Sequence, residues 1–448
     1  MKILLLTSSA RGHAIAETLA RSRHMPAIIN ICPNRNPGIR RLAAEQYVMD
    51  IMDFPAVLEI AKQTKPDFAF IGPDDPIGGG IVDALESIGV PSVAPTKDCA
   101  RIESSKGFAR ELMRKHGIDA SPRFRVFETT SDQIEPIRQY IVGDLRGEYV
   151  VKYDALKGGK GVKVSGEHLH SIDQGVAYAL ECMQECGRVV IEEKLIGVEF
   201  SLMSFTSGKT TIDMPAVQDH KRACDGDTGP NTGGMGTYSD ANHSLPFLTA
   251  QDLARASEVN RLVAAALMKE CPEHVEGYKG ILYGGFMAVR DGVRVIEYNA
   301  RFGDPEALNI LPLLETDFVD LSLAIINGEL KPEHVRFARK ATVCKYITPA
   351  SYPEAKTEKG RPIVFPHPLP ENGRLYVGDI SEDDDGTFRL GGSRTAGIVG
   401  IADTIADAES IAENLCEQVK GPVRFRKDIG TAELVKKRVE TMKQIRST

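Results

Sequence analysis

The chain has 448 residues, of which 42% are hydrophobic and 26% charged, a composition typical of a folded globular protein rather than a disordered or fibrous one. This length favours roughly two to four domains over a single core. The 55 Lys and Arg residues against 62 Asp and Glu residues give a net charge of −7, which argues against broad nucleic-acid binding. No apolar stretch approaches the roughly 18 residues of a membrane span, and the 8 scattered Cys residues indicate reduced thiols in a cytoplasmic protein.

Short apolar runs alternate with helical patterns over the first hundred residues. The predicted strands are residues 3–6, 68–71 and 90–93. Such alternation with short links predicts a parallel, Rossmann-like sheet covered by helices. Residues 98–116 are expected to form one helix that ends at Gly117, and Pro122 then breaks the chain. We therefore expect an N-terminal α/β domain over residues 1–122.

Three further units are predicted after this domain. Residues 123–195 are expected to form a small, strand-rich unit. Residues 196–328 are expected to form a central α+β domain that contains a helix at 250–270 and an apolar hairpin. Residues 329–448 read as a strand-rich C-terminal domain with one internal helix at 403–418. The whole chain is therefore assigned to the α/β class.

A Gly-rich loop lies between two predicted strands at 149–153 and 161–164. It contains Gly158, Gly159, Lys160 and Gly161. Glycine lets backbone N–H groups approach phosphate oxygens closely, and lysine supplies positive charge. The loop lacks the spacing of a Walker A loop. Because both of its flanks are predicted strands, it predicts a nucleotide-binding flap in a hairpin. A mobile surface hairpin is the alternative.

An apolar strand at 189–191 runs directly into Glu192 and Glu193, and Glu199 follows six residues after the second. Carboxylates and free backbone groups at the end of a strand suit the edge of adenine and the hydroxyls of ribose. On these residues alone, a surface turn is the better interpretation.

An Asp-Gly dipeptide at 291–292 lies between apolar runs and predicts a hairpin with a two-residue turn. That turn would place Glu297 opposite Phe286 and Asn299 opposite Gly284. Alternation along the strand puts one set of polar side chains on a single face: Glu297, Asn299 and Arg301. A carboxylate and an amide oxygen two residues apart are hard ligands suited to Mg²⁺. The alternative is an exposed polar strand face.

The stretch 218–236 mixes charged, hydroxyl and Gly residues with almost no apolar content, so it is not expected to form core. Polar segments of this length are often functional. An EF-hand is rejected because the ligand spacing and the bidentate Glu are missing. A flexible loop is the alternative.

The turn at residues 7–14 links the first strand to the first helix. A strand-to-helix turn of small residues can bind phosphate at the helix N-terminus, here helped by Arg11. The Gly pattern of dinucleotide-binding folds is missing, so NAD and FAD are not indicated.

Taken together, these segments resemble the phosphoribosylamine–glycine ligase (glycinamide ribonucleotide synthetase) family of ATP-grasp enzymes. The strongest match is 218–236, with its Asp-Gly-Asp-Thr-Gly-Pro run, and 301–306 matches a second signature. Weaker matches lie at 71–73, 104–106, 159–162, 191–193, 392–394 and 428–430. The family turn Gly-x-Gly-Gly-Arg-Glu-His-Ala is here Thr-Ser-Ser-Ala-Arg-Gly-His-Ala at 7–14, and its Gly-Pro-Glu is here Gly-Pro-Asp at 72–74.

The resemblance implies ATP-dependent joining of glycine to 5-phosphoribosylamine through glycyl phosphate, with Mg²⁺ or Mn²⁺, in purine biosynthesis. It also implies a cytoplasmic enzyme without nucleic-acid or membrane partners, as a monomer or, alternatively, a dimer. Two other readings stay open. One is an ATP-grasp carboxylate–amine ligase with a different amine, and the other is a nucleotide-binding module without catalysis.

The resemblance implies that residues 1–122 are a substrate domain, that 123–195 are the ATP-grasp lid and that 196–328 are the central ATP-grasp domain. It also implies roles for individual residues. The implied ATP-binding residues are Lys106, Lys152, Gly158, Gly159, Lys160, Gly161, Glu192, Glu193, Leu195 and Glu199. The implied metal ligands are Glu297 and Asn299. The implied catalytic residues are Arg301, Asp219, Lys221 and Asp225. The implied substrate-binding residues are Arg11, His13, Asp74, Asp227 and Thr228.

Overall fold

The structure, a computed structural model, describes residues 1–129, 133–157, 161–271 and 277–447. Over these ranges the chain is a mixed α/β protein, which confirms the predicted fold class. No helix among the described residues is both long enough and apolar enough to cross a membrane. The predicted domain boundaries at 122, 195 and 328 stay predictions. The units below are described by their sheets, and the name lid unit follows the implied role of residues 123–195.

The N-terminal unit is built on a parallel sheet with the strand order β3-β2-β1-β4-β5. Its strands are β1 Lys2–Leu6, β2 Ala27–Cys32, β3 Glu45–Val48, β4 Phe68–Ile71 and β5 Ser92–Val93. Its helices are α1 Ala10–Ala20, α2 Pro37–Leu42, α3 Phe54–Thr64, α4 Asp74–Gly79, α5 Ile81–Glu86, α6 Lys97–Ser104 and α7 Lys106–Lys115. The strand β4 and nearly all of β1 are buried, as expected for a parallel sheet covered by helices.

The single helix predicted over 98–116 is wrong, because the chain breaks there into α6 and α7. Ser105 between them is extended, with φ −134°, and its Oγ accepts a hydrogen bond from Phe108 N at 3.0 Å. Serine is a favoured N-cap because its side chain satisfies a free N–H of the first turn. The cap therefore begins a second helix where the apolar pattern alone suggested continuity.

The lid unit is an antiparallel sheet with the order β6-β9-β7-β8 and one covering layer of helices. Its strands are β6 Phe124–Glu128, β7 Tyr149–Tyr153, β8 Val162–Val164 and β9 Arg188–Glu193. Its helices are α8 Ile134–Gln139, a π-helical turn Tyr140–Asp144, and α9 Ile172–Cys186. The strands predicted on either side of the Gly-rich loop are β7 and β8, which pair with each other. Gly158, Gly159 and Lys160 lie outside the described residues.

The central unit is an antiparallel sheet with the order β11-β10-β16-β17. The strands of this part of the chain are β10 Val198–Ser207, β11 Thr210–Asp213, β12 Gln218–Asp219, β13 Arg222–Cys224, β14 Thr228–Asn231, β15 Gly236–Ser239, β16 Lys279–Val289 and β17 Gly292–Asn299. The helices are α10 Ala250–Glu270, as predicted, α11 Glu306–Ile310 and α12 Phe318–Ile326. The polar stretch 218–236 is thus partly strand, because β13 and β14 pair as a short hairpin.

The predicted register of the hairpin formed by β16 and β17 is wrong. It turns one residue earlier than expected, because Val289 pairs with Gly292. The register then shifts at a bulge that places Ile296 as an extra residue. The observed pairs are Glu297 with Gly285 and Asn299 with Tyr283, in place of the predicted partners Phe286 and Gly284.

The C-terminal unit shares its main sheet with the central segment, in the order β12-β15-β18-β23-β20, with β24 paired to β18. Its own strands are β18 Ala341–Pro349, β19 Pro362–Ile363, β20 Gly373–Val377, β21 Ile380–Glu382, β22 Phe388–Leu390, β23 Ala396–Ala402 and β24 Val423–Arg424. Its helices are α13 Ile405–Glu417 and α14 Ala432–Ser447. Because β12 and β15 belong to this sheet, the C-terminal unit directly supports the signature stretch 218–236.

Candidate active site

A cleft with about 300 Å³ of space, part of it open to solvent, lies where the start of β10 and the ends of β12 and β17 meet the middle of β16. It is lined by Glu199, Phe200, Ser201, Asp219, Lys221, Tyr283, Gly285, Ile296 and Glu297. Four of the residues singled out from the sequence therefore meet here, although they come from three separate motifs. Gly285 leaves room opposite Glu297, its partner across the sheet.

Glu297 is an ionised carboxylate within a ring of positive charge. Burial by itself would raise its pKa, but neighbouring cations outweigh burial and lower the pKa to about 2. These cations are Lys221, Lys106, Lys152 and Arg301. Lys221 Nζ lies 3.9 Å from Glu297 Oε1 and 3.8 Å from Glu199 Oε2. One charged carboxylate among four cations suits a polyphosphate that binds together with a divalent cation.

Asn299 lies two residues beyond Glu297 on the same strand. In the orientation that its surroundings favour, its amide nitrogen donates to Glu103 Oε1 and to Tyr298 O, each at 3.1 Å. The amide oxygen is then the atom left to act as a ligand. A charged carboxylate oxygen and an amide oxygen are the hard donors that Mg²⁺ and Mn²⁺ prefer, so this pair fits a divalent cation.

A buried ion network lies beneath the cleft and joins the lid unit to the rest of the chain. Glu192 Oε1 accepts from Arg110 Nε at 2.6 Å, and Lys152 Nζ lies 2.7 Å from Glu192 Oε2. Arg110 and Lys152 also donate, each at 2.8 Å, to the carbonyl of Ile296 at the bulge. Burial opposes ionisation of Glu192, but the charges of Arg110 and Lys152 prevail and lower its pKa. The bulge thus turns a backbone carbonyl towards two buried cations.

This network predicts a large loss of stability for Glu192→Gln. Breaking a buried ion pair leaves unpaired charge in the interior and typically costs about 3–5 kcal/mol. The matched control is Glu193→Gln, because Glu193 pairs with Arg123 at 2.9 Å where the arginine side chain is 66% exposed. An exposed pair contributes about 1 kcal/mol or less. Urea unfolding of both variants gives the comparison, and equal midpoints would contradict the assignment.

The two strands that attach the lid unit are tied together where they leave it. Glu193 accepts from Arg123 N at 2.8 Å as well as from its guanidinium, so the ends of β6 and β9 are joined. Leu195 follows as a half-buried residue, and Ile196 beside it is 73% exposed. Glu193 therefore joins the end of β9 to the residue before β6, and the chain beyond it is accessible to a ligand at Ile196.

The start of α7 is bound to the end of β7, next to Lys106. Asp154 Oδ1 accepts from Ser105 Oγ at 3.0 Å and from Gly107 N at 2.8 Å. Beyond Asp154 the chain enters the Gly-rich loop, whose described end, Gly161, has its carbonyl bonded to Tyr153 N at 2.8 Å. Lys106 at the first position of α7 is thus held beside the base of the flap.

The predicted amine-phosphate turn lies directly against the loop after β17. Arg11 Nη1 donates to Phe302 O at 2.7 Å, and Arg301 Nη2 pairs with Glu103 Oε1 at 3.0 Å. Burial, and then the charge of Arg301, lower the pKa of Arg11. Arg11 Nε and Arg301 Nε are both buried without a hydrogen-bond partner among the described residues. The two guanidinium groups therefore form one cluster with free donors.

Asp74 belongs to the same cluster. Burial would raise its pKa, but the charges of Arg301 and Arg11 lower it. Residues from three separate motifs, Arg11, Asp74 and Arg301, are thus brought together. The substrate turn and the predicted catalytic arginine share one charged region rather than two independent ones.

The departure of the turn at 7–14 from the family pattern has a steric explanation. A Cβ atom on Gly12 would lie 2.3 Å from Thr7 Oγ1, and one on Gly72 would lie 2.7 Å from the same atom. The Thr7 side chain therefore fills space that requires glycine at both neighbours. Thr7 replaces the first Gly of the family turn, and Gly12 replaces its Glu. The two changes are compatible with each other, because Gly12 leaves the space that the Thr7 side chain fills.

His13 has a structural contact in this fold. Its Nδ1 accepts from Val377 N at 2.9 Å, and its ring packs edge-on against Tyr376, with the centroids 5.7 Å apart. Burial, and then the charge of Arg41, lower its pKa to about 4. His13 is therefore neutral and joins α1 to β20, behind the turn that carries Arg11.

Two histidines, the half-buried His13 and the buried His220, predict a loss of stability on mild acidification. The pKa of His13 falls from 6.5 to about 4, and burial followed by the charge of Arg426 lowers that of His220 to about 3. Between pH 6.5 and about 4, both histidines are neutral in the folded chain. In the unfolded chain they bind a proton below pH 6.5. Stability is therefore complete above pH 6.5 and falls as the pH drops towards 4.

One pKa unit corresponds to about 1.4 kcal/mol, so His13 alone should account for roughly 3 kcal/mol of the free energy of unfolding. Denaturant unfolding at pH 7 and at pH 4.5 measures this loss. The variant His13→Gln should lose less stability between the two pH values than the parent chain. An unchanged pH dependence would show that His13 is not the titrating group.

Asp219 and Lys221 line the cleft, and a buried carboxylate, that of Glu306, acts on Asp219 from behind it. Burial, and then the charge of Glu306, raise the pKa of Asp219. Glu306 Oε1 accepts from Tyr283 OH at 2.7 Å. Burial opposes the charge on Lys221, but the surrounding carboxylates, first Glu199 and then Glu297, raise its pKa. Lys221 is thus a firmly charged ammonium among four carboxylates.

The structure places Asp225, Asp227 and Thr228 outside the lining of the cleft. Asp225 Oδ1 accepts from Lys427 N at 3.0 Å, and Asp227 Oδ1 pairs with Arg426 Nη2 at 3.1 Å. Thr228 is exposed, and its Oγ1 donates to Asp225 O at 3.0 Å. These carboxylates bind the C-terminal unit, and their assignment to catalysis or substrate binding stays a prediction.

Several residues of the site had no role in the sequence analysis: Glu103, Arg110, Tyr283, Asp304, Glu306 and Arg394. Arg394 Nη1 donates to Gly233 O at 2.8 Å and to Asp304 O at 2.9 Å, so it joins the two signature segments. Asp304, Glu306 and Arg394 lie within stretches that match the family, which was a usable signal. No sequence signal pointed to Arg110, because a charged residue in a helix is usually exposed to solvent.

Comparison with known proteins agrees with this geometry. The phosphoribosylglycinamide synthetase N domain matches residues 1–103, the ATP-grasp (A) domain 104–307 and the C domain 342–432. The phosphoribosylamine–glycine ligases of Methanosarcina barkeri and Methanocaldococcus jannaschii are each 44% identical, over 446 and 450 residues, with 100% of both chains covered. A crystal structure of the phosphoribosylamine–glycine ligase of Thermotoga maritima has a TM-score of 0.78 at 29% identity and covers 96% of this chain and 100% of that one. The chain therefore belongs to the phosphoribosylglycinamide synthetase family of ATP-grasp ligases.

Proposed function

We propose that the chain joins glycine to 5-phosphoribosylamine at the expense of ATP, giving glycinamide ribonucleotide, ADP and phosphate in purine biosynthesis. The observation that carries this proposal is the ionised Glu297, with Asn299 on the same strand, inside a ring of four cations. Family membership supports the choice of substrates. A cytoplasmic location and a monomeric state remain predictions.

The reaction has two steps. A carboxylate oxygen of glycine attacks the γ-phosphorus of ATP, ADP leaves, and glycyl phosphate forms. The amine nitrogen then attacks the carbonyl carbon of glycyl phosphate, phosphate leaves, and the nitrogen loses a proton. Because phosphorylation supplies the leaving group, no covalent enzyme nucleophile is required. Catalysis then depends on positioning the reactants and neutralising charge.

The cations around the cleft have the charge that this reaction needs. Lys106 and Lys152 would contact the phosphates of ATP, under a flap formed by the Gly-rich loop. Arg301 would steady the phosphoryl group during transfer. Glu297 and Asn299 would hold Mg²⁺ or Mn²⁺, which neutralises phosphate charge when bound. The adenine and ribose would lie along 192–199, where the chain leaves β9 and enters β10.

The substrate side of the cleft would take glycine and the amine. We assign glycine to the space beside Asp219 and Lys221. The free donors of Arg11, with Asp74 beside them, would bind the phosphate of the amine. His13 would position that turn through β20 without contacting substrate. Asp225, Asp227 and Thr228 would shape the hairpin next to this site.

The test is release of ADP from MgATP in the presence of glycine, phosphoribosylamine, both, or neither. We expect sustained release only with both substrates, and none when alanine replaces glycine. Release with glycine and a different amine, but not with phosphoribosylamine, would identify another carboxylate–amine ligase. Binding of ATP without release under any condition would identify a nucleotide-binding module.

The flap predicts a change in hydrogen exchange when nucleotide binds. Lys157 at its start is 41% exposed and is paired with Glu185 at the surface, so the contacts of this residue restrain it only weakly. Amides at 155–157 and 161–163 should gain protection with a non-hydrolysable ATP analogue and Mg²⁺. Amides in α10, which lies in the central unit, serve as the internal control. Equal protection of the flap with and without the analogue would contradict a closing lid.

A further inference from the structure

The hairpin of β13 and β14, residues 222–231, has little packing of its own. All four residues of β14 are exposed. Gly226 and Asp227 at its tip have positive φ angles, of 73° and 59°. An isolated two-stranded hairpin is only marginally stable in water. Its conformation must therefore depend on contacts from outside the hairpin.

Residues 424–428 of the C-terminal unit, which we call the clamp segment, supply such contacts. The hydrogen bonds are Arg424 Nη1 to Ala223 O at 2.7 Å, Lys427 N to Asp225 Oδ1 at 3.0 Å, and Gly226 N to Asp428 Oδ2 at 2.9 Å. They involve both a strand and the tip of the hairpin. The clamp segment is itself anchored, because the fully buried Lys345 donates to Lys427 O at 2.8 Å.

Arg426 lies at the centre of the clamp segment, and its side chain is 0% exposed. It donates to the two carboxylate oxygens of Asp428 at 2.9 and 2.7 Å and pairs with Asp227 Oδ1 at 3.1 Å. Its Nη1 also donates to Arg222 O at 3.1 Å. A planar guanidinium presents its donors in a fixed fork, whereas the ammonium of lysine does not. The positions of these three partners are therefore set by one rigid group.

These contacts reach the cleft through the backbone next to Lys221. Arg426 holds the carbonyl of Arg222, the following residue. Thr232, at the other end of the hairpin, donates from its N and its Oγ1 to Lys221 O at 2.7 and 2.9 Å. The backbone that carries Lys221 is thus restrained from two directions, and its ammonium lies between the two cleft carboxylates.

We infer that Arg426 and Asp428 are positioning residues of the ligase, which hold the hairpin 222–231 and the Lys221 ammonium in place for glycine and the amine. Within the described ranges, none of the residues that line the cleft comes from the C-terminal unit. The clamp segment therefore gives that unit an indirect part in the reaction. The inference rests on the proposed function, because the substrates are those named above.

The test compares two variants of the full-length chain. Asp428→Asn keeps the side-chain shape but removes the charge, and Arg426→Lys keeps the charge but removes the fork. We expect kcat/KM for glycine and for phosphoribosylamine to fall about 10- to 100-fold, because small displacements of positioned groups are that costly. The dissociation constant of a non-hydrolysable ATP analogue with Mg²⁺ should stay unchanged. If Arg426→Lys does not fold, Asp428→Asn carries the test.

The matched control is Leu390→Ala, which removes buried apolar volume from the same unit, in β22. It should lower stability but leave both kcat/KM values unchanged. If Leu390→Ala impairs substrate use as much as Asp428→Asn, the role of the clamp segment is merely structural and the inference is wrong. A parallel loss of affinity for the ATP analogue in Asp428→Asn would also overturn it.

Hydrogen exchange gives a second measurement that does not depend on the reaction. Amides of the hairpin should exchange faster in Asp428→Asn than in the parent chain or in Leu390→Ala. Unchanged exchange would overturn the inference even if the ligase activity is as proposed. Faster exchange in a chain that uses neither glycine nor phosphoribosylamine would instead contradict the proposed function, while the contact between clamp segment and hairpin stands.

Discussion

Glu297→Gln should lower kcat by at least about a hundredfold, because a divalent cation contributes several kcal/mol of charge stabilisation in the transition state. Glutamine keeps the shape of the side chain but removes the charge that the cation needs. The surrounding lysines and Arg301 would also lose the carboxylate that balances them. Steady-state release of ADP at saturating Mg²⁺ measures the loss, and Mn²⁺ binding in the presence of an ATP analogue gives an independent readout.

The matched control for this variant is Glu199→Gln. Both carboxylates lie next to Lys221 Nζ, at 3.8 Å for Glu199 and 3.9 Å for Glu297. If Glu297 is a metal ligand, Glu199→Gln should raise KM for ATP without a comparable loss of kcat or of Mn²⁺ binding. Equal losses in both variants would mean that Glu297 acts only through the charge of Lys221. Normal turnover of Glu297→Gln in saturating Mg²⁺ would remove it from the metal site.

Arg11→Ala should weaken the use of phosphoribosylamine by roughly ten- to a hundredfold. A hydrogen bond to a charged group contributes about 1.5–3 kcal/mol, and each 1.4 kcal/mol is about tenfold. KM for phosphoribosylamine at saturating ATP and glycine is the measurement. Because Arg11 contacts Phe302 next to Arg301, a smaller change in turnover is expected as well, rather than complete independence of the ATP site.

Arg21→Ala is the control for Arg11→Ala. Arg21 follows α1 directly and also donates to backbone carbonyls that precede α12, those of Leu311 at 2.5 Å and Leu314 at 3.2 Å. It therefore makes the same kind of contact away from the cleft and should leave KM for the amine unchanged. If Arg11→Ala impairs ATP binding and spares the amine, the turn is not the phosphate site, and a different amine substrate becomes the better hypothesis.

Much of the fold was predictable because local patterns carry it. Helix α10 begins and ends where its apolar period predicted, and the alternation of strands and helices gave the parallel sheet. The break at Ser105 was missed because an N-cap inside a continuous apolar pattern is a small local signal. The strand character of 218–236 was missed because its short strands are rich in polar residues and Gly, which are depleted in strands. The sheet that holds β12 also depends on β15 and β18, and β18 lies about a hundred residues further along the chain.

The candidate site also has features that the sequence predicts and features that it does not. Period-two alternation places Glu297 and Asn299 on one face whatever their partners are, so the predicted pair survived an incorrect register. The bulge at Ile296 was not predictable, because its carbonyl accepts hydrogen bonds from Arg110 and Lys152, which lie in other parts of the chain. Lys221 was recognised by its motif, but its place between two carboxylates depends on three separate strands.

From the sequence alone follow the fold class, the family, the reaction it implies and the strand that carries the predicted metal ligands. Only the tertiary structure shows that Glu192 is part of a buried ion network, that Arg11 lies against Phe302, and that the 222–231 hairpin is held by the clamp segment. Arg110 and Glu192 are 82 residues apart, and Arg11 and Phe302 are 291 apart. Contacts at such separations depend on how whole units pack, and a local pattern of side chains does not encode that packing.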